Sequence, residues 1–316
     1  MKMKAIFMGT PEIAAKILRG LLEDNIEIIA VVTQPDKAKG RGNQMQYPEV
    51  KKVAIEYDLP VYQPVKAKDE SFIEQLKQLK PDLILVAAFG QILPKAILDI
   101  PAYGCLNVHA SLLPKYRGAA PIQQVIIDGE EKTGVTIMKM DVGLDTGDMI
   151  LKEETIIEPT ETAGSLHDKL AELGTICLLK ALKQIEDGTA VYEKQEDELS
   201  SYAKPFTKEM GKLDFSKDAV VLERLIRGLN PWPSAYTSME GKTLKIWNAS
   251  VIELAEENNA PVGSIIDKNK DSFTVKTGKG GLVVNEVQLE GKKRMMSGDF
   301  MRGYELALGL VLGEDS

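Results

Sequence analysis

Only two histidines occur in 316 residues, and one of them, His109, stands in NVHASLLPKYRGAAP (107–121), two positions after Asn107. In a strand, alternate side chains share a face, so the amide of Asn107 and the imidazole of His109 would project side by side. Such a pair can polarise a carbonyl and move a proton near neutral pH. A carboxylate would complete the set by orienting the ring and raising its basicity. The turn DVGLDTGD (141–148) offers Asp141, Asp145 and Asp148, with two glycines between them that permit a tight backbone. An Asp and Gly turn also suits calcium, but the EF-hand order of ligands is missing. The other histidine, His167, lies in an amphipathic pattern as LHDKL and reads as structural.

Several chemistries lose support. No G-x-S-x-G, H-E-x-x-H or paired C-x-x-C is present, which opposes a serine hydrolase, a zinc protease and a structural zinc site. Two histidines and two widely separated cysteines make no metal site, so no metal is expected. Cys105 and Cys177 lie in apolar surroundings and read as buried small hydrophobes in a reducing, cytoplasmic compartment. No apolar run is long enough for a membrane helix, and MKMKAIFMGTPEI reads as a first strand rather than a signal peptide.

The elements that must position these residues follow from hydrophobic periodicity. KAIFMG reads as a buried strand, and TPEIAAKILRGLLEDN as a helix with Thr10 as N-cap and Pro11 in its first turn. Strands at 26–34, at LPVYQP and at 82–90 then alternate with helices near 48–57 and 69–79. This grammar predicts an α/β, Rossmann-like, mostly parallel sheet with helices on both faces. The strand GCLNVHA (104–110) carries Asn107 and His109 to its C-terminal end, where open α/β sheets bind ligands. The first turn, MGTPEI, lacks G-x-G-x-x-G, so a nicotinamide enzyme is disfavoured.

The pattern places a catalytic domain at 1–188 and a polar linker at 189–206. From 207 to 316 follow one helix and short strands split by Gly, Asn and Asp, the mark of a small, OB-like β-barrel. Trp232 and Trp247 read as core residues there.

Taken together, NVHASLLPKYRGAAPIQ and the later TGVTIMKMDVGLDTGDMI resemble the 10-formyltetrahydrofolate-dependent formyltransferases. FMGTPEIA, TQPDKAKGRG, FGQILPKAIL and NPWPSAY extend the resemblance end to end, toward the branch of that family acting on methionyl-tRNA. The resemblance implies that Asn107, His109 and Asp145 are catalytic. It further implies that Ser111, Leu112, Leu113, Pro114, Phe89, Gly90, Gln91, Ile92 and Asp141 surround the folate cosubstrate, and that a monomer transfers its formyl group to the α-amine of initiator methionyl-tRNA. Another superfamily member, acting on an amino sugar or glycinamide ribonucleotide, remains the alternative.

A net charge of −8 argues against indiscriminate nucleic-acid binding, so tRNA must be met by local cations. Lys37, Lys39 and Arg41 alternate in DKAKGRG, and the resemblance marks that loop as the grip on the acceptor end. From 207 on, 15 Lys and Arg face 16 Asp and Glu. Lys242, Lys245, Lys292, Lys293 and Arg294 are the candidate phosphate contacts in that half, while Lys115 and Arg117 are further candidates beside the Asn-x-His stretch.

Overall fold

The computed structural model describes residues 3–39, 44–255 and 259–313. The chain gathers into two compact units: Met1–Pro121, Lys132–Ile156 and His167–Ala203 form one, and Ile122–Glu131, Ile157–Leu166 and Lys204–Ser316 form the other.

In the first unit the apolar runs become strands. β1 (Ala5–Gly9) is buried along its whole length and leads into helix α1 (Glu12–Glu23), which turns Ala14, Ile17, Leu18 and Leu21 inward. Thr10 does not cap this helix. Pro11 holds the N-cap position, and the Thr10 hydroxyl donates to the Phe89 carbonyl at 2.9 Å. Its oxygen, which a cap would turn to a helix amide, instead accepts from the Gln34 amide at 3.3 Å. β2 (Ile28–Val32) follows, then a short hairpin of β3 (Lys37–Lys39) and β4 (Gln44–Gln46) where the sequence suggests only a loop. Next come α2 (Glu49–Glu56), β5 (Val61–Tyr62), α3 (Glu70–Leu79), β6 (Leu83–Ala87), the short α4 (Lys95–Leu98) and β7 (Cys105–His109).

After the two-residue strand β8 (Arg117–Gly118) and α5 (Pro121–Asp128) run β9 (Lys132–Lys139), β10 (Met149–Ile156) and the long α6 (Ala163–Glu186). The seven-stranded sheet has the order β10-β9-β7-β6-β1-β2-β5. The five strands from β5 to β7 are parallel, and β9 and β10 add an antiparallel edge. Strands β1 and β6, covered on both faces, are continuously apolar, whereas edge strand β10 starts buried and from Leu151 on alternates half-buried and exposed positions. Residues of α3 and α4 share a core cluster with Ile6, Met8, Ile84 and Val86 on one face of the sheet. A Cβ at Gly174 of α6 would lie 3.0 Å from Val108, placing that helix on the Val108 side of β7.

Residues 189–203 are bonded to this unit. Glu193 pairs with Met149, a 3-10 turn spans Asp197–Leu199, and β11 (Tyr202–Ala203) runs parallel to β8.

In the second unit, helix α7 (Ala219–Gly228) precedes an antiparallel sheet. Its strands are β12 (Ala235–Met239), β13 (Lys242–Ile252), β14 (Ile265–Lys268), β15 (Phe273–Lys276) and β16 (Gly281–Leu289), in the order β12-β13-β16-β15-β14. The short β17 (Met295–Met296) adds to β16 and leads into α8 (Ser297–Gly303). One core of Leu222, Ile226, Leu244, Ile246, Phe273 and Phe300, among others, ties sheet and helices together. Trp232 is not part of it, being 54% exposed, and Trp247 is only half-buried.

Candidate active site

Strand alternation puts Val108 against α6, so Asn107 and His109 face the other side of the sheet. Asp145 reaches them from the turn after β9. Its carboxylate accepts a long 3.4 Å contact from Asn107 Nδ2, and its Oδ2 lies 3.6 Å from His109 Nδ1. The ring of His109 is buried, and its Nε2 lies 2.9 Å from the Tyr116 carbonyl. A carbonyl can only accept, so the proton of the neutral ring sits on Nε2 and Nδ1 keeps its lone pair. The free basic nitrogen therefore faces the carboxylate, the arrangement that balances charge once the ring is protonated.

Asp145 adopts a left-handed backbone, φ 55°, which costs energy for a residue with a side chain. It is kept there by a hydrogen bond from the Gly118 amide to Oδ2 at 2.8 Å. Gly118 itself must be glycine: φ is +111°, and a Cβ would stand 2.7 Å from the Ala203 carbonyl oxygen. Tyr116 and Gly118 thus hold His109 and Asp145 from one short segment, and β8 is pinned by β11 and by the Ser201 hydroxyl on the Tyr116 amide.

The residues around the trio divide between fold and surface. Ser111 is buried with its hydroxyl donated to the Lys115 carbonyl, and Leu113 packs with Met138 and Met149. The Thr136 hydroxyl ties their backbones together, accepting from the Leu113 amide and donating to the Ser111 carbonyl, while Leu112 and Pro114 stay partly exposed. Phe89 is core, and its carbonyl receives Thr10 and Gln34. Gly90 is exposed at φ 84°, and Gln91 accepts the Ala67 amide at 2.7 Å. Asp141 shapes its own turn, accepting from the Gly143 amide and the Thr146 hydroxyl. Three large apolar side chains are left in the open: Ile92 at 84% exposure, Val142 at 71% and Leu144 at 56%. Exposed apolar groups on turns that are themselves exposed at 90 and 141–144 suit a flat heteroaromatic ring.

Comparison with known proteins fixes the family. The formyl transferase family model matches residues 1–182, and the model of the formyl transferase C-terminal domain matches residues 205–305. The methionyl-tRNA formyltransferase of Clostridioides difficile (strain 630) is 53% identical over 98% of this chain and 100% of its own. The chain belongs to the methionyl-tRNA formyltransferase family. A relative of the same name from Lachnospira eligens is 51% identical over 99% of this chain and 100% of its own. Among solved structures, the N-formyltransferase from Helicobacter canadensis, in complex with folinic acid and dTDP-3-aminofucose, superposes with TM-score 0.67 at 20% identity, covering 90% of this chain and 99% of that one. HypX from Aquifex aeolicus, in complex with tetrahydrofolic acid, gives TM-score 0.66 at 17% identity over 95% of this chain; the chain spans 47% of HypX. These two share the formyltransferase fold.

The cations that a formyltransferase of this family could turn toward a polyanion are differently disposed. Lys37 is exposed on β3, the backbone of Lys39 ends the same strand, and Arg41 lies outside the described residues. Lys242, Lys292 and Lys293 are exposed in the second unit. Lys245 and Arg294 lie over the ring of Trp247, at 5.6 and 4.7 Å from its centroid. Arg294 also makes a two-pronged pair with Glu286, which neutralises part of its charge. Arg117 is not a phosphate contact. It is 2% exposed and bound to Gln195 and Asp197. Sequence spacing could not expose the part played by Tyr116 and Gly118, because backbone groups hold the site there and backbone groups are the same in every residue.

Proposed function

We propose that the chain transfers the formyl group of 10-formyltetrahydrofolate to the α-amine of methionyl-tRNA, giving N-formylmethionyl-tRNA for translation initiation. The full-length likeness to methionyl-tRNA formyltransferases carries this reading, and the convergence of Asn107, His109 and Asp145 supplies its chemistry.

The donor supplies an electrophilic formyl carbon, and Ile92, Val142 and Leu144 with the backbone of 89–92 and 111–114 would hold it. The acceptor amine is itself the nucleophile, so no enzyme nucleophile is needed. The Asn107 amide donates to the formyl oxygen as negative charge develops on it. His109 Nδ1, the ring atom with a free lone pair, takes the proton that the amine loses and returns it to the departing nitrogen. Asp145 balances the imidazolium during that interval. The cations Lys37, Lys39, Arg41, Lys242, Lys245, Lys292, Lys293 and Arg294 meet tRNA phosphates, and the protein works as a monomer in the cytoplasm. The described residues contain no helix long and apolar enough to cross a membrane.

The deciding experiment offers the protein a labelled formyl donor with methionyl-tRNA, with a nucleotide-linked amino sugar or with glycinamide ribonucleotide. Transfer to methionyl-tRNA is expected. Transfer to a small amine but not to the tRNA would overturn the reading.

A further inference from the structure

Asp145 is held by more than its carboxylate. Gln195, which lies in the polar stretch before β11, donates from Nε2 to the carbonyls of Asp145 and Gly147, both at 2.8 Å. Its Oε1 accepts from Arg117 Nε at 3.0 Å, and Arg117 Nη2 donates in turn to Asp197 at 2.8 Å. The orientation of the amide is chemically fixed: turned over, it would set oxygen against two carbonyl oxygens and an N–H against a guanidinium that can only donate. Arg117 is almost wholly buried, and an arginine is seldom buried unless its donors are engaged.

The first half of the turn that Gln195 grips is shaped by Asp141, whereas the Asp145 and Gly147 carbonyls are taken by Gln195. Asp145 is left-handed at φ 55°, Gly143 and Gly147 flank it, and the apolar side chains at its crest, Val142 and Leu144, are exposed. Consecutive residues of β8 therefore reach Asp145 by two routes: the Gly118 amide holds its carboxylate, and the Arg117 side chain holds its backbone through Gln195.

We propose that Gln195 is a positioning residue for formyl transfer, setting the Asp145 carboxylate between Asn107 and His109 by bridging buried Arg117 to the carbonyls of Asp145 and Gly147. The proposal rests on the function given above. It places within the reaction a residue whose side-chain amide is spent on protein partners, and whose neighbourhood in the sequence reads as linker.

The test compares Gln195→Leu, which keeps bulk and loses both hydrogen-bonding ends, with wild type in single-turnover and steady-state formylation of methionyl-tRNA. A displacement of about 1 Å in a catalytic group costs up to about 100-fold, so kcat is expected to fall roughly 30- to 100-fold. KM for donor and tRNA should stay within about twofold, since uniform binding is untouched. In an Asp145→Ala background the same substitution should lower kcat by less than about twofold, because the carboxylate it positions is gone. A merely structural role would give the same loss in both backgrounds. Wild-type kcat in Gln195→Leu, a loss confined to KM, or a full further loss in the Asp145→Ala background would each overturn the proposal. Gln195→Met serves the same comparison if the leucine variant does not fold. Wild-type turnover in the same assay separates the two readings: an inert wild type defeats the proposed function, and an active wild type with an indifferent Gln195 defeats only this proposal.

Discussion

The trio proposed as catalytic and the cation patch over Trp247 are built on opposite principles. Around the trio the side chains are buried or nearly so, and their geometry is set by backbone: Tyr116 holds His109, Gly118 holds Asp145, and the strand β7 fixes Asn107 relative to His109. The patch consists of long cations on one surface of an antiparallel sheet, sharing one indole, with Arg294 partly neutralised by Glu286. Proton transfer depends on tenths of an ångström and gains from exclusion of water. Phosphate attraction falls off slowly with distance and tolerates mobile side chains, but salt screens it. Polar side chains are therefore fixed by backbone in one place and held only by other side chains in the other.

The strongest test of the rigid half removes its chemistry. Asn107→Ala, His109→Ala and Asp145→Ala should each lower kcat by roughly 10²- to 10⁴-fold, while circular dichroism shows a folded protein. Near-wild-type turnover in folded variants would dissociate the trio from catalysis. Next in size, Gly118→Ala should destabilise the protein by about 2–4 kcal/mol in denaturant titration, since it adds a Cβ 2.7 Å from a carbonyl oxygen at φ +111°. Loss of under about 0.5 kcal/mol, the usual range for surface changes, would mean that the β8–β11 ribbon gives way easily.

The free half should respond in binding alone. Lys245→Ala is expected to raise KM for methionyl-tRNA several-fold, leave kcat unchanged, and reduce the slope of log affinity against log salt by about one. Glu286→Gln should do the reverse and tighten tRNA binding by about twofold, by releasing Arg294 from its pair. An effect of either change on kcat at saturating tRNA would blur the contrast. Smallest is an expected silence in the buried part: burial pushes the thiols of Cys105 and Cys177 up to about 12. A thiol raised in the folded state stays protonated at pH 8 and becomes reactive only as the chain opens. Ellman's reagent should therefore find essentially none in the native protein and both in denaturant.

Much of this was legible before the fold. The alternation of apolar runs with helical periods marks nearly every strand of the parallel sheet, because strands covered on both faces must be apolar throughout. The Asn-x-His spacing marks a shared face, since alternation along a strand does not depend on context. Other elements left no such trace. Strands β8 and β11 have two residues each, too few for any period, and the β3–β4 hairpin lies in a stretch of Lys, Gly and Gln whose composition is that of a loop. Thr10 carries a capping residue's identity but spends its hydroxyl on Phe89, and Trp232 carries a core residue's identity but lies in the open. Arg117 shows the opposite error: its charge suggests phosphate, and its burial commits it to Gln195.

By itself the sequence determined which residues share a strand face, which helices follow which strands, and the three side chains fit for formyl transfer. These follow from local geometry, which repeats every two or 3.6 residues wherever the chain goes. Only the tertiary structure decided that Asp145, 36 residues beyond His109, would meet its ring. It also decided that a glutamine 50 residues farther on would hold that turn, because a hydrogen bond to a backbone carbonyl has no signature in residue type. Its geometry exists only once two distant segments have been brought together.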